Sequence, residues 1–337
     1  MTGGRITLAH GSGGAMTHRL IADQFLNLGG PTDARDLEDA AVLALAEGTL
    51  AFTTDSYVVT PRFFPGGDIG KLAVCGTIND LAAMGAQPLA MSLALVIEEG
   101  FTEDELQRIM ASVRETAQMA GVPIVTGDTK VVERGAADGL FVNTAGIGRR
   151  HPAARISARN ARPGDRVILS GTVGDHGLAV LTARHELGGL VGPKSDCAPL
   201  WPLARDLLDA VGEHVHCLRD PTRGGVAATL NELAFQSQVG MRLSMPEDIV
   251  SAATHGACEL LGLDPLVLAN EGKLIAIVSP EAADAALAAL RGNPLGAKAA
   301  LVGEVVDGPP GRVTARTPLG TERMVDMPSG EILPRIC

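Results

Sequence analysis

Apolar and polar positions change rhythm along this chain, and each change predicts an element. LAFTTD (50–55) reads as a strand, and IGKLAVCGTINDLAAMGA (69–86) has the spacing of an amphipathic helix that Gly85 is placed to stop. PLAMSLALVI (88–97) is a second strand. Thr102 and Glu105 then stand at capping-box spacing before ELQRIMASVRETAQMAG, a helix that Gly121 and Pro123 end. Two further strands are expected in PIVTGD (123–128) and GLFVNTAGIG (139–148).

The stretch RRHPAARISARNARPGD (149–165) breaks the rhythm with five arginines and two prolines, and nothing glycine-rich or aromatic accompanies them. A solvated linker is expected there rather than a phosphate-binding patch. Beyond it come the strand DRVILSG, helices near HGLAVLTARHELG, LWPLARDLLDAVG and GGVAATLNELAFQSQ, the strand KLIAIVS and the helix EAADAALAALRG. Strands and helices mix in both halves without a regular βαβ count, which favours an α+β fold over a doubly wound sheet. The expected organisation is one domain over 1–152, a second over 153–327, and a tail over 328–337. In that tail Pro328, Ser329, Gly330 and Pro334 forbid a long helix or central strand, yet Ile332, Leu333 and Ile336 are apolar. A flexible, sticky tail has something to dock into, and it ends in a thiol, Cys337.

Composition narrows the function. An apolar content of 46% is ample for two packed cores. The formal charge of −11, from 28 Lys+Arg against 39 Asp+Glu, repels a phosphate backbone, and with 3% aromatic residues stacking platforms are scarce, so nucleic acid is not an expected partner. Five cysteines, at 75, 197, 217, 258 and 337, include no C-x-x-C pair and suit a reducing compartment. MTGGRITLAHGSGG lacks the long apolar stretch of a secretory signal, and PLAMSLALVI is too short to span a bilayer, so a cytoplasmic protein without a membrane anchor is expected. Cys337 is not fourth from the end and fails the prenylation pattern.

Several motifs fall away on inspection. GDIGK (67–71) is not a P-loop, because Pro65 stands where glycine is needed and Leu72 replaces Ser or Thr. HGSGG (10–14) follows a short strand, RITLA, and precedes the helical pattern MTHRLIADQFL. It lacks the third glycine of a dinucleotide fingerprint, and serves equally as a tight turn or as an anion cradle at a helix N-terminus. Ser12 has His10 and Gly14 where a nucleophile elbow wants two glycines. HVHC (214–217) has no second ligand pair at zinc-finger spacing and reads as an ordinary strand. The carboxylates say more. Asp39, Asp55, Asp80, Asp128 and Asp220 each sit beside apolar residues, and a lone buried carboxylate is costly unless paired or holding a cation. Caps or turns could explain Asp55, Asp128 and Asp220, whereas Asp80 lies mid-helix. Meeting at one place, such groups would bind Mg²⁺.

HGSGG, EDAAVL (38–43), TTDSYVV (53–59), TINDLAAMGA (77–86), GDTKVV (127–132), GDHG (174–177), DPTRGG (220–225), ANEGKL (269–274) and the closing PRIC run in order from residue 10 to residue 337. Together they resemble the HypE family of hydrogenase maturation proteins, in the superfamily of aminoimidazole ribonucleotide synthetase, selenophosphate synthetase and thiamine monophosphate kinase. The resemblance implies an ATP-binding N-terminal α+β domain that dimerises through its sheet, a PurM-like C-terminal domain, and a mobile tail. It implies that Cys337 receives a carbamoyl group from the carbamoyltransferase HypF. The chain then uses ATP to dehydrate that group to a thiocyanate, whose cyano group passes to iron on the HypC–HypD complex. By position in the matching motifs, Asp39, Asp55, Asp80 and Asp220 would bind Mg²⁺, and Asp55 and Asp128 would lie near the nucleotide. His10, Gly11, Ser12, Gly13 and Gly14 would cradle phosphates or the modified tail, and Glu271 and Lys130 would move the amide protons. Without the resemblance, Lys130 reads as a surface ion pair with Glu133 and Glu271 as part of a solvated loop.

Ten residues from Pro328 to Cys337 reach roughly 30 Å when extended, enough to enter a cleft and withdraw to a partner. Selenophosphate synthetases are the nearest rival, but they carry a reactive cysteine or selenocysteine in the N-terminal glycine-rich loop, where this chain has His10 and Ser12. A non-catalytic scaffold with a docking tail is the alternative of a different class.

Overall fold

The computed structural model describes residues 15, 16, 19, 38–45, 48–184, 192–317, 319–328, 333 and 335–337. The first half holds β1 (Ala41–Leu45), β2 (Gly48–Tyr57), the short pair β3 (Phe63–Phe64) and β4 (Gly67–Asp68), α1 (Ile69–Ala83), β5 (Ala86–Glu98), α2 (Glu103–Ala120), β6 (Ile124–Val132) and β7 (Leu140–Arg150). The second half holds β8 (Arg166–Leu169), α3 (Asp175–Ala183), α4 (Trp201–Val211), β9 (Val215–Arg219), α5 (Gly225–Gln236), β10 (Gly240–Leu243), α6 (Ala252–Leu261), β11 (Ile275–Val278), α7 (Ala283–Gly292), β12 (Ala300–Val306), β13 (Val313–Arg316) and β14 (Glu322–Met324).

Two sheets result, ordered β1-β2-β7-β5-β6 and β14-β13-β10-β12-β8-β11-β9, with mixed strand directions and helices packed on them. The fold is α+β. In the first sheet inward and outward residues alternate along β5 and β7 because helices cover one face only. Met91, Leu93, Leu95 and Val142 pack on α1 and α2, while Phe52 and Ile147 remain exposed on the far face. The second sheet is covered on both faces. Ile275 and Ile277 of β11 pack with α5, and Ala276 and Val278 pack with α4 and α7, which is why KLIAIVS is apolar without alternation.

Two expectations change. The 69–86 helix forms, with Asp68 as its N-cap accepting the N–H groups of Gly70 and Lys71 at 2.7 and 3.1 Å, and Gly85 turns the chain at φ 64°. It is buried nearly all round rather than amphipathic. One side of α1 meets the first sheet and α2, and the other meets the second half, where the Asn79 side chain bonds the carbonyls of Ala198 and Glu271. Nor is 149–165 a solvated linker: Ala154, Ile156, Ala158 and Ala161 are buried between the arginines. Arg150 donates to the carbonyls of Met84 and Ile156, and the Glu38 carboxylate accepts from Ser157 and Ala158, so the segment is a fixed seam.

Candidate active site

A cleft of about 560 Å³ lies at the seam of the two halves. Alternation along β2 turns Thr53, Asp55 and Tyr57 inward, and α1 presents Gly76, Thr77 and Asp80 across from them. The turn before β1 adds Asp39. The end of β9 and the loop after it add Arg219, Asp220, Thr222 and Arg223, α5 adds Glu232, and the 269–274 loop adds Glu271. The last residue of the chain, Cys337, completes the wall.

Each acid has a different environment. The Thr53 hydroxyl donates to Asp80 at 2.6 Å and the Thr77 hydroxyl to Asp55 at 2.9 Å. Arg219 pairs with Asp39 at 2.8 Å and with Glu232 at 3.1 Å, all three being largely buried. One oxygen each of Asp39, Asp220 and Glu271 is buried without a hydrogen-bond partner. Burial accordingly raises the affinity of these groups for protons. It lifts Asp39 and Asp80 well above the ordinary carboxylate range, and neighbouring acids add to the rise. Asp55 is raised despite its bond from Thr77, Asp220 is pushed up to about 6, and Glu271 is raised well above its ordinary value. Burial beside these acids also pushes the Cys337 thiol up to about 12, against the pull of Arg223.

The tail is docked by its own last residues. The N–H groups of Val58 and Thr60 donate to the carbonyl oxygens of Cys337 (3.3 Å) and Arg335 (3.1 Å), an antiparallel pairing that extends the line of β2. His176, fully buried at the start of α3, bonds the Ile336 carbonyl at 2.9 Å, and Arg184 donates to the Arg335 carbonyl at 3.0 Å. The Ile336 side chain enters the core, and the Arg335 guanidinium bonds the Val58 carbonyl at 3.0 Å and the Asp138 carboxylate.

Of the residues singled out in the sequence, Asp39, Asp55, Asp80, Asp220, Glu271 and Cys337 line this one cleft. Asp128 and Lys130 do not. Both are exposed on β6, an edge strand, 3.0–3.1 Å from each other, and Lys130 holds the Asp128 carboxyl below its usual range. His10, Gly11, Ser12, Gly13 and Gly14 lie outside the described residues. The sequence reading missed Thr53, Thr77, Arg219 and Arg223. The two arginines were findable: they bracket Asp220 in RDPTR, where a buried acid calls for countercharge.

Among the described residues no group of three or more His, Cys, Asp or Glu side chains stands ready to hold a metal ion. The donor set still fits Mg²⁺, which reaches a protein through one or two carboxylates and completes its shell with water and substrate phosphates. The unpartnered oxygens of Asp39 and Asp220 are such donors.

Known proteins match this arrangement over its length. Residues 37–150 match the AIR synthase related protein N-terminal domain and residues 162–316 its C-terminal domain, which makes the chain a two-domain AIR synthase related protein. The carbamoyl dehydratase HypE of Rhizobium leguminosarum bv. viciae is 51% identical over 99% of this chain and 95% of its own length. That of Escherichia coli strain K12 is 48% identical over 98% and 99%. A solved HypE–HypF complex contains a chain 47% identical with TM-score 0.86, covering 94% of this chain and 100% of that one. A HypE structure in complex with ATP is 48% identical with TM-score 0.83, covering 99% and 100%. The chain belongs to the HypE family. Among the described residues no helix is long and apolar enough to cross a membrane.

Proposed function

We propose that this chain is the ATP-dependent carbamoyl dehydratase of hydrogenase maturation and that Cys337 carries its substrate. The observation that carries this reading is the meeting of Cys337 with Glu271 and four acids from distant parts of the sequence in one cleft. An amide oxygen is a poor leaving group. Transfer of the terminal phosphoryl group of ATP to the oxygen of the S-carbamoyl group gives an imidate. Breaking its C–O bond releases phosphate as the C≡N bond forms, and both amide protons leave the nitrogen.

Asp39, Asp55, Asp80 and Asp220 would hold Mg²⁺, which would neutralise charge on the transferring phosphoryl group. Glu271, which lines the cleft with Cys337, would take a proton from the nitrogen. Its free oxygen and dry surroundings make it a stronger base than a solvated carboxylate whenever it is ionised. Arg223 lies within the electrostatic reach of Cys337 and would steady negative charge there.

Asp128 and Lys130 enter through a second copy. Strand register places them on the outer face of the first sheet, the face that also carries Phe52 and Ile147, with Leu43 and Leu45 exposed on the neighbouring edge strand. Thr54 and Ser56 belong to that face yet line the cleft, so the cleft opens past β2 toward it. A homodimer packed on this face would cover the apolar residues and bring Lys130 of one copy to the cleft of the other. The tail would withdraw to accept its carbamoyl group from HypF and to deliver cyanide to the HypC–HypD complex in the cytoplasm.

Intact mass tests the reading. Measured after incubation with HypF, carbamoyl phosphate and ATP, before and after ATP removal, a carbamoyl adduct should sit on Cys337 and lose one water only when MgATP is present. A Cys337→Ala chain should show neither change. An adduct that never loses water in MgATP would refute the assignment.

A further inference from the structure

The position of Cys337 depends on the Val58 N–H that meets its own oxygen and on what holds the two residues before it. Three carbonyls, one guanidinium and one apolar side chain are all engaged, and the partners come from both halves of the molecule. Arg184 shares the Arg335 carbonyl with the Thr60 N–H, and two further side chains clasp the tail. His176 is one. The Ile336 carbonyl can only accept, so Nε2 of His176 carries hydrogen. Burial disfavours the charged ring, so Nδ1 is an acceptor and the Ser195 hydroxyl, 2.8 Å away, donates to it. The Ser195 oxygen in turn accepts the Cys197 N–H at 3.1 Å. The ring also stands edge-on to Phe64, so it has little freedom to turn.

Asp138 is the other clasp. It sits in the turn between β6 and β7, and Glu98 braces that turn by accepting the N–H groups of Gly135 and Gly139 at 2.5 and 2.8 Å. Its carboxylate meets the Arg335 guanidinium, which also reaches the Val58 carbonyl.

We propose that His176 and Asp138 are positioning residues that dock the tail from the two halves of the molecule and thereby set how much of the time the Cys337 thiol faces the cleft rather than solvent. The catalytic meaning of this dock rests on the function proposed above; the dock itself does not. Neither residue reaches the reacting atoms. They act through Ile336 and Arg335, and opening both clasps frees the thiol to meet a partner.

Alkylation of the intact, nucleotide-free chain by iodoacetamide reads the equilibrium directly, because Cys75, Cys197, Cys217 and Cys258 are buried and Cys337 is the half-exposed one. In the dock burial holds the Cys337 thiol protonated, so the open state supplies the thiolate and, with the docked state dominant, the labelling rate follows the open fraction. Removing one clasp of ordinary hydrogen-bond strength should raise it about 2- to 10-fold. Asp138→Ala, an exposed change that the fold tolerates, should label faster at unchanged melting temperature. His176→Leu should label about tenfold faster, at the upper end of that range. His176→Gln, which keeps a donor at the reach of Nε2, should return to within about twofold of wild type. Wild-type rates in both Asp138→Ala and His176→Leu would overturn the proposal. So would a rise in His176→Leu that the Gln variant shares, since that would be general loosening. Labelling needs neither nucleotide nor carbamoyl donor. Shifted labelling without any dehydration would reject the proposed reaction and keep the dock, whereas dehydration without shifted labelling would reject the dock alone.

Discussion

Arg219 directs its Nε to Asp39 at 2.8 Å, and Asp220, the next residue in the chain, is left with a buried oxygen that meets no donor. The arginines of the cleft therefore compensate its acids only in part, and Asp39 and Asp220 each keep one buried oxygen without a donor. Acids this poorly compensated are a cost to the folded state that a bound cation would relieve.

The cost is measurable through pH. Burial pushes Asp220 from the ordinary 3.8 up to about 6, so between those values the folded chain binds more protons than the unfolded one. The contribution of Asp220 to stability is thus complete below pH 3.8 and lost as pH rises through about 6. Asp220→Asn should be more stable than wild type by about 3 kcal/mol at pH 7 and equal to it near pH 4 in urea unfolding. Dehydration by the same variant should fall at least about a hundredfold. A stability difference that does not change with pH would contradict this account.

Glu271 offers a cleaner separation of binding from chemistry. Glu271→Gln keeps the shape and removes the base. ATP binding by calorimetry should persist, the carbamoyl adduct on Cys337 should accumulate, and loss of water should slow by about 10²- to 10⁴-fold. Normal dehydration by this variant would remove Glu271 from the proton path.

Much of this was legible in the sequence, for identifiable reasons. Helix ends declared themselves: Thr102 accepts the Glu105 N–H at 3.3 Å and Gly121 adopts φ 68°, as the capping box and terminal glycine required. Acids flanked by apolar residues pointed to a shared site where they would be paired or hold a cation, and Asp39, Asp80 and Asp220 line one cleft. The environment of α1 was not legible, because a buried helix and an amphipathic one share much of their local spacing; only long-range packing, such as Asn79 on Ala198 and Glu271, decides. Nor could spacing separate Asp128 from Asp55. Both stand on strands, and only sheet order puts one in the cleft and the other on an exposed edge.

The position of Lys130 supports a mixing test. Lys130→Ala and Cys337→Ala chains should each be inactive alone. If Lys130 acts on the other copy, a mixture that exchanges subunits should regain dehydration, because the heterodimer has one cleft with both a thiol and a foreign lysine. Mixtures as inactive as their components, with exchange verified by mass, would exclude action across the dimer.

Asn79 allows the geometry behind Glu271 to be tested. Its side chain donates to the carbonyls of Ala198 and Glu271 at 3.1 Å each and accepts the Leu200 N–H at 2.9 Å, tying the helix that carries Asp80 to the loop that carries Glu271. Asn79→Ala would leave buried groups unpaired, at a cost of about 3 kcal/mol in unfolding. Lost stability alone does not show that Asn79 serves the reaction. A double-mutant cycle does: if Asn79 acts by holding Glu271 in place, its effect on the dehydration rate should shrink to near nothing once Glu271 is already Gln, while its effect on stability stays whole. Equal rate losses in the two backgrounds would mean that Asn79 serves the reaction by another route.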